Sequence, residues 1–268
     1  MSVRSDADQT IFSQYAREIE EHWKSKEIQR RKYNHASPQL KCRRQLIEWL
    51  IHVCEQIKLS HKTVHLGVFL LDMFMDNHSI DPDRLQCVAL VCIMLAAKFE
   101  EVEYKVPSIS ELNKFDGFRY RNNDFMKIEA MVLSFHNFAL AQPTVAHFVE
   151  YYGMYTVRSV PEELNSFNTS LRQVAEISCA ILAELMAICL KALTFVGHPP
   201  SRVAAAIVMV ARCRLGLTPV WTPELLEVTR YTKEAIIPYA NLVVRTMHRD
   251  SLMNTKHLQS PDDGYVSP

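Results

Sequence analysis

His61 and His65 stand four residues apart, a spacing that puts two imidazoles on one helix face and occurs in helical zinc sites. A metalloprotease also needs a glutamate between them, and position 62 is Lys62. Such a pair is far more often a surface or hydrogen-bonded pair than a metal site. The seven cysteines (42, 54, 87, 92, 179, 189 and 213) form no Cys-x-x-Cys pair and sit inside apolar helical runs. That is the pattern of reduced, buried thiols in an intracellular protein. With 6 glycines in 268 residues there is no GxGxxG and no P-loop to cradle phosphates, and no aspartate-rich metal motif. No metal and no cofactor is expected. Arg30-Arg31-Lys32 is a short basic cluster, and 30 basic residues balance 30 acidic ones, so there is no overall footprint for nucleic acid. What remains is a cluster of charge and aromatic surface, Lys98, Phe99, Glu100, Glu101 and Glu103. Its chemistry is that of recognition, not of bond making.

That cluster ends an apolar run, residues 85–97, which opens behind Asp81 as N-cap, Pro82 at the first helical position and Asp83 in the first turn. A helix apolar on all sides is buried on all sides. At 1.5 Å per residue it runs roughly 25 Å, the width of a small domain and too short to span a bilayer. The longest rival apolar run, 177–190, is interrupted by Glu184, and no N-terminal apolar segment of a signal peptide is present.

Around this rod the periodicity predicts an all-α chain. An amphipathic helix over about 8–32 carries Ile11, Phe12, Tyr15, Ile19 and Trp23. Five helices follow in the next hundred residues: about 39–57, 64–75, the central rod, a short one behind the capping box Ser108-x-x-Glu111, and about 123–135 with Phe125, Ile128, Met131, Val132 and Phe135. Five more follow: one opened by Pro143, two at about 169–191 and 200–214, one behind Thr222-Pro223, and one from Lys233 to about Met247. The domains are therefore an N-terminal segment (1–38), two tandem five-helix domains (39–141 and 142–250) and a disordered polar tail (251–268) holding Ser260-Pro and Ser267-Pro.

With these elements placed, four segments in order resemble the cyclin family. CRRQLIEWLIHV (42–53) is similar to the family's MRAILVDWLVEV, and LLDMFM (70–75) to YIDRFL. LQCVALVCIMLAAKFEE (85–101) is similar to LQLVGTAAMLLASKFEE, and KIEAMVLSFHNFALAQPT (127–144) to RMEHLVLKVLTFDLAAPT. The resemblance covers about residues 10–250. It implies a non-catalytic activating subunit of a cyclin-dependent serine/threonine kinase in cell-cycle control, sited in the nucleus and secondarily the cytoplasm, that repositions the kinase C-helix and activation loop. It implies kinase-contact roles for Lys98, Phe99, Glu100, Glu101, Glu129, Leu133, Phe138 and Leu140, with Phe12 and Tyr15 from the N-terminal helix. It makes Arg43 and Asp72 a structural ion pair between helices.

The family's patch for Arg-x-Leu substrates and inhibitors maps to Cys42, Gln45, Leu46, Trp49, His52 and Gln86. Here Cys42 replaces Met, Gln45 replaces Ile and His52 replaces an acid, which removes apolar burial and a partner for arginine. Weak or altered docking is the expectation. No Arg-x-x-Leu destruction box precedes the first domain. An enzyme, a nucleic-acid adaptor of the same fold and a cyclin-fold protein with a non-kinase partner are the rival readings; neither a membrane nor direct nucleic-acid contact is expected.

Overall fold

The computed structural model describes residues 6–157 and 171–258, and the side chains of those residues except 6–14, 171 and 254–258. Among the described residues there are eleven α-helices and no strand: α1 (Asp6–Ile28), α2 (Arg43–Gln56), α3 (His61–Asn77), α4 (Pro82–Glu100), α5 (Ile109–Asn113), α6 (Asn122–Phe135), α7 (Val145–Gly153), α8 (Leu171–Lys191), α9 (Pro200–Arg214), α10 (Pro223–Thr229) and α11 (Lys233–Leu258).

Two separate cores organise them. Helices α2 to α6 enclose the first, with every residue of α4 from Cys87 to Ala97 buried. Helices α7 to α11 enclose the second, around α9, where Val203 to Arg212 is buried without a break. The caps follow the sequence signals. Asp81 accepts the Asp83 amide, Ser108 and Glu111 bond reciprocally at α5, and Thr222 caps α10; at α3 it is Ser60 that caps, so the helix starts at His61, three residues before the expected 64. Another start differs: α7 opens at Thr144, not Pro143, because Thr144 takes the cap position and closes a capping box with His147. Gly67 lets α3 approach α4 closely; a Cβ there would lie 2.5 Å from Ile93 Cδ1.

Three expectations are corrected. Helix α11 runs on to Leu258, because Asp250 is buried between Arg44 and Lys191 and anchors the helix where the polar composition implies its end. Cys179 and Cys213 are exposed, on the outer sides of α8 and α9. Helix α8 holds a stretch, Arg172–Lys191, long and apolar enough by length and composition to cross a membrane, and about 39% of it is buried; its inner side, with Leu185, Met186 and Cys189, packs in the second core.

Helix α1 is strapped to the second domain, and of its apolar stripe only Trp23 faces inward among the described side chains. Tyr15 is 50% and Ile19 38% exposed, whereas Ala16 and Glu20 are buried. The contact face lies about 100° round the helix from Tyr15. There Trp23 packs edge-on against His147 and Phe148, each 5.5 Å away. Glu20 accepts from Tyr152 Oη at 2.9 Å and pairs with Lys24 at 2.7 Å. Lys24 donates to the Thr229 carbonyl, and Glu27 accepts both the amide and hydroxyl of Ser201 at the start of α9. The chain then crosses to the first domain, where Asp76 accepts the amides of Asn34 and Ala36.

Candidate functional site: the outer end of the central helix

Because α4 is buried from Cys87 to Ala97, its first exposed residues after that run are Lys98 and Phe99. Lys98 Nζ donates to Glu129 Oε1 of α6 at 2.6 Å, with the lysine side chain 47% exposed and the glutamate 19%. On α6, Leu133 lies one turn beyond Glu129 on the same face and Met126 one turn before it. Leu133 and Leu140 lean on the first core. Phe138, held in a left-handed backbone conformation with its amide bonded to the Leu133 carbonyl, is 69% exposed. Phe99 and Met126 are 50% and 61% exposed. The result is a largely apolar surface holding an ion pair whose lysine is exposed and whose glutamate is half-buried. Met126 was not signalled by the sequence, since it lies off the core stripe. Met131, which that stripe claimed, is exposed on the opposite flank of α6.

The next two carboxylates turn inward. The Thr144 amide donates to His147 Nδ1 at 3.1 Å, which leaves the ring proton on Nε2, and Nε2 donates to Glu100 Oε1 at 3.0 Å. Both side chains are about nine-tenths buried. Glu100 thus ties the end of α4 to the start of α7. Glu101 Oε1 accepts the Ser60 amide and the Thr63 hydroxyl, each at 2.6 Å. Burial alone would raise the Glu101 carboxyl; the bonds from Thr63 and Ser60 outweigh it and hold the group below the usual carboxylate range. So the outward edge reduces to Lys98, Phe99, Glu129, Leu133, Phe138 and Leu140, while Glu100 and Glu101 brace it. The spacing Thr144-x-x-His147 was the sequence signal for that brace. Tyr15 is exposed; the side chain of Phe12, with Ser260 and Ser267, lies outside the described residues.

Gln45, Trp49, His52 and Cys42 share one face of α2. Gln45 and His52 are exposed, Cys42, Trp49 and Gln86 half-buried, and Leu46 belongs to the first core. Arg43 and Asp72 are buried and joined at 2.7 Å. Arg212, also fully buried, ties the loop after α9, through the carbonyls of Pro219 and Val220, to the segment after α7, through that of Thr156; nothing in its apolar helix signalled that role. His61 is exposed and His65 buried. Among the described residues no group of three or more His, Cys, Asp or Glu could hold a metal ion.

Two tandem five-helix bundles, each built round one fully buried helix and braced by an N-terminal strap, define a double helical-box protein. The description "Cyclin, N-terminal domain" matches residues 11–141, and "Cyclin, C-terminal domain" matches 143–267. The chain belongs to the cyclin family. Cyclin-J of Xenopus laevis is 31% identical over 250 residues, which cover 91% of this chain and 65% of that protein; the chain therefore spans less than two thirds of this relative. Among solved structures, a viral cyclin from herpesvirus saimiri matches with a TM-score of 0.66 at 16% identity, covering 85% of this chain and 97% of that one. A chain of the yeast RNA Pol II CTD kinase CTDK-1 complex matches with a TM-score of 0.52 at 14% identity, covering 85% and 78%. At these identities the two structures speak to the fold alone.

Proposed function

We propose that this chain is the regulatory subunit of a cyclin-dependent serine/threonine kinase and that the outer end of α4 is its kinase-binding face. The observation that carries the reading is the Lys98–Glu129 pair, its lysine exposed and its glutamate half-buried, with exposed Phe99 and Met126 beside it in sequence and one helical turn away. A pair so placed gives register and orientation to a partner, while Phe99, Leu133, Phe138 and Leu140 supply apolar burial. The partner element is the kinase C-helix. A face that fits its inward position better than its outward one shifts the kinase toward its active arrangement, by as much as the two affinities differ. The exposed stripe of α1, with Tyr15, extends the same reading to the N-terminal strap.

Capture of a panel of cyclin-dependent kinases by the full chain tests this. The wild type retains at least one kinase, and Lys98→Glu and Glu129→Lys each weaken capture about tenfold or more, as truncating an interfacial charge pair does. Combining the two reversals restores part of it. Capture of none, or capture indifferent to both reversals, overturns the proposal.

A further inference from the structure

A cleft of about 290 Å³ opens between the two domains beneath the segment that leaves α1. Its walls come from residues 27–33, from α3 through Phe69 and Asp72, from the start of α7, and from the α8–α9 connection. Four cationic side chains, Arg30, Arg31, Lys32 and Arg43, face two carboxylates, Glu27 and Asp72, so the lining carries a net charge of +2. Both carboxylates are already committed. Asp72 is bidentate to Arg43, and both Glu27 oxygens accept from Ser201. Among the described residues none of Arg30, Arg31 and Lys32 has a carboxylate within ion-pair distance.

The positions of two donors are specific. Arg30 donates through Nη2 to the Pro143 carbonyl and lies 4.7 Å above the Phe69 ring, which fixes its guanidinium plane. Its Nε is buried and, among the described residues, has no hydrogen-bond partner; the Tyr33 hydroxyl is in the same position. Buried donors are normally satisfied, and leaving one unmade costs more than a made bond contributes. Burial lowers Arg30 to about 10, with Glu27 opposing weakly, and raises Tyr33 to about 12 with help from Asp72. Both groups are therefore under-solvated hydrogen-bond donors at neutral pH. Arg31 stands over the Phe135 ring at 4.4 Å, at the rim.

We propose that this cleft binds a phosphate monoester group, with Arg30 Nε and the Tyr33 hydroxyl donating to its oxygens and Arg31 and Lys32 closing over it. A phosphate carries about −1.5 to −2 charges and three acceptor oxygens, which matches the net charge and the donor count. A guanidinium held planar is also the side chain best shaped for phosphate oxygens. A carboxylate would supply half the charge. Water would satisfy the two donors but leave the cations uncompensated. The source of the group is either inorganic phosphate or a phosphorylated serine or threonine on a peptide. Because its walls come from α1, the first domain and the second, a bound phosphate would bridge all three.

The test is calorimetric titration of the full chain at fixed ionic strength with inorganic phosphate, a phosphoserine peptide and its unphosphorylated twin. Tyr33→Phe removes only a hydroxyl that has no partner among the described residues, so the fold is retained, checked by circular dichroism. It weakens phosphate binding about tenfold, the effect of one hydrogen bond to a charged group. Arg30→Lys, which keeps the charge and loses the planar fork, weakens it similarly. Inorganic phosphate binding as well as the phosphopeptide assigns a small-anion site. A phosphopeptide binding more tightly than both inorganic phosphate and its twin assigns a docking site for a phosphorylated segment. No binding of either phosphate at millimolar concentration, or binding that both variants leave unchanged, overturns the proposal. None of these readouts involves a kinase, so the result stands apart from the fate of the kinase-binding face.

Discussion

Arg43→Met isolates the interaction that joins the two domains most directly. Arg43 and Asp72 side chains are 2% and 6% exposed. The guanidinium makes two bonds of 2.7 Å to Asp72 on α3 and two more, at 3.1 and 3.2 Å, to the carbonyls of Lys191 and Leu190 at the end of α8. Removing it leaves a buried carboxylate without its cation and takes two donors from the last turn of α8. Breaking one side of a buried ion pair costs ~3–5 kcal/mol, a large fraction of the ~5–15 kcal/mol that holds a protein folded. The two orphaned carbonyls place the loss toward the upper end. The double variant Arg43→Met/Asp72→Leu recovers the part due to the unpaired carboxylate, because two apolar side chains need no compensation, while the carbonyls of Leu190 and Lys191 stay without their donor. Urea unfolding of the two variants and the wild type, followed by far-UV circular dichroism and tryptophan fluorescence, measures both quantities. Since Arg43 bonds both domains, the single variant also pulls the two probes' transitions apart. A loss below ~1 kcal/mol, or a double variant as unstable as the single one, would refute the reasoning.

Two further predictions follow from other sites. Burial, and secondarily the nearby His61 and His147, lower His65 from 6.5 to about 3; the unfolded chain takes up a proton below pH 6.5 that the fold excludes until about pH 3. Stability is therefore complete above the unfolded value and falls as pH drops, by ~2 kcal/mol at about pH 5 (1.5 pH units at 1.36 kcal/mol each). His65→Leu removes that component, and parallel stability–pH curves for variant and wild type from about pH 7 to about pH 5 would rule it out. At the α2 face, Gln45 and His52 are exposed beside half-buried Cys42 and Trp49. Fluorescence titration with Arg-x-Leu peptides gives affinities weaker than micromolar, His52→Glu tightens them, and micromolar or better binding by the wild type would refute the prediction.

The sequence by itself determined what depends on neighbours along the chain. The caps at Asp81, Ser60, Ser108 and Thr222 are local hydrogen bonds, and the uninterrupted apolar run of α4 leaves burial as its only stable state. From these the two five-helix boxes and the exposed end of α4 were legible, and the four family-like segments named the residues on it. What the tertiary structure alone decided is which polar groups meet across the fold. Glu100 and Glu101 read as surface charges in a run of acids, and only the approach of α7 and α3 turns them into braces. Asp250 reads as the last residue before a polar tail, and only the meeting of Arg44 and Lys191 makes it an anchor. The contact face of α1 joins Trp23 to Ala16, Glu20 and Glu27 and leaves Tyr15 and Ile19 outside, because the second domain offers Tyr152 and Ser201 as donors there. Arg30 read as one of three solvated cations until the Phe69 ring and the Pro143 carbonyl fixed it inside a cleft. Hydrophobic periodicity reports how a helix meets a core. It carries no information about the partner of a charge two hundred residues away, because that pairing exists only once the cores have placed both helices.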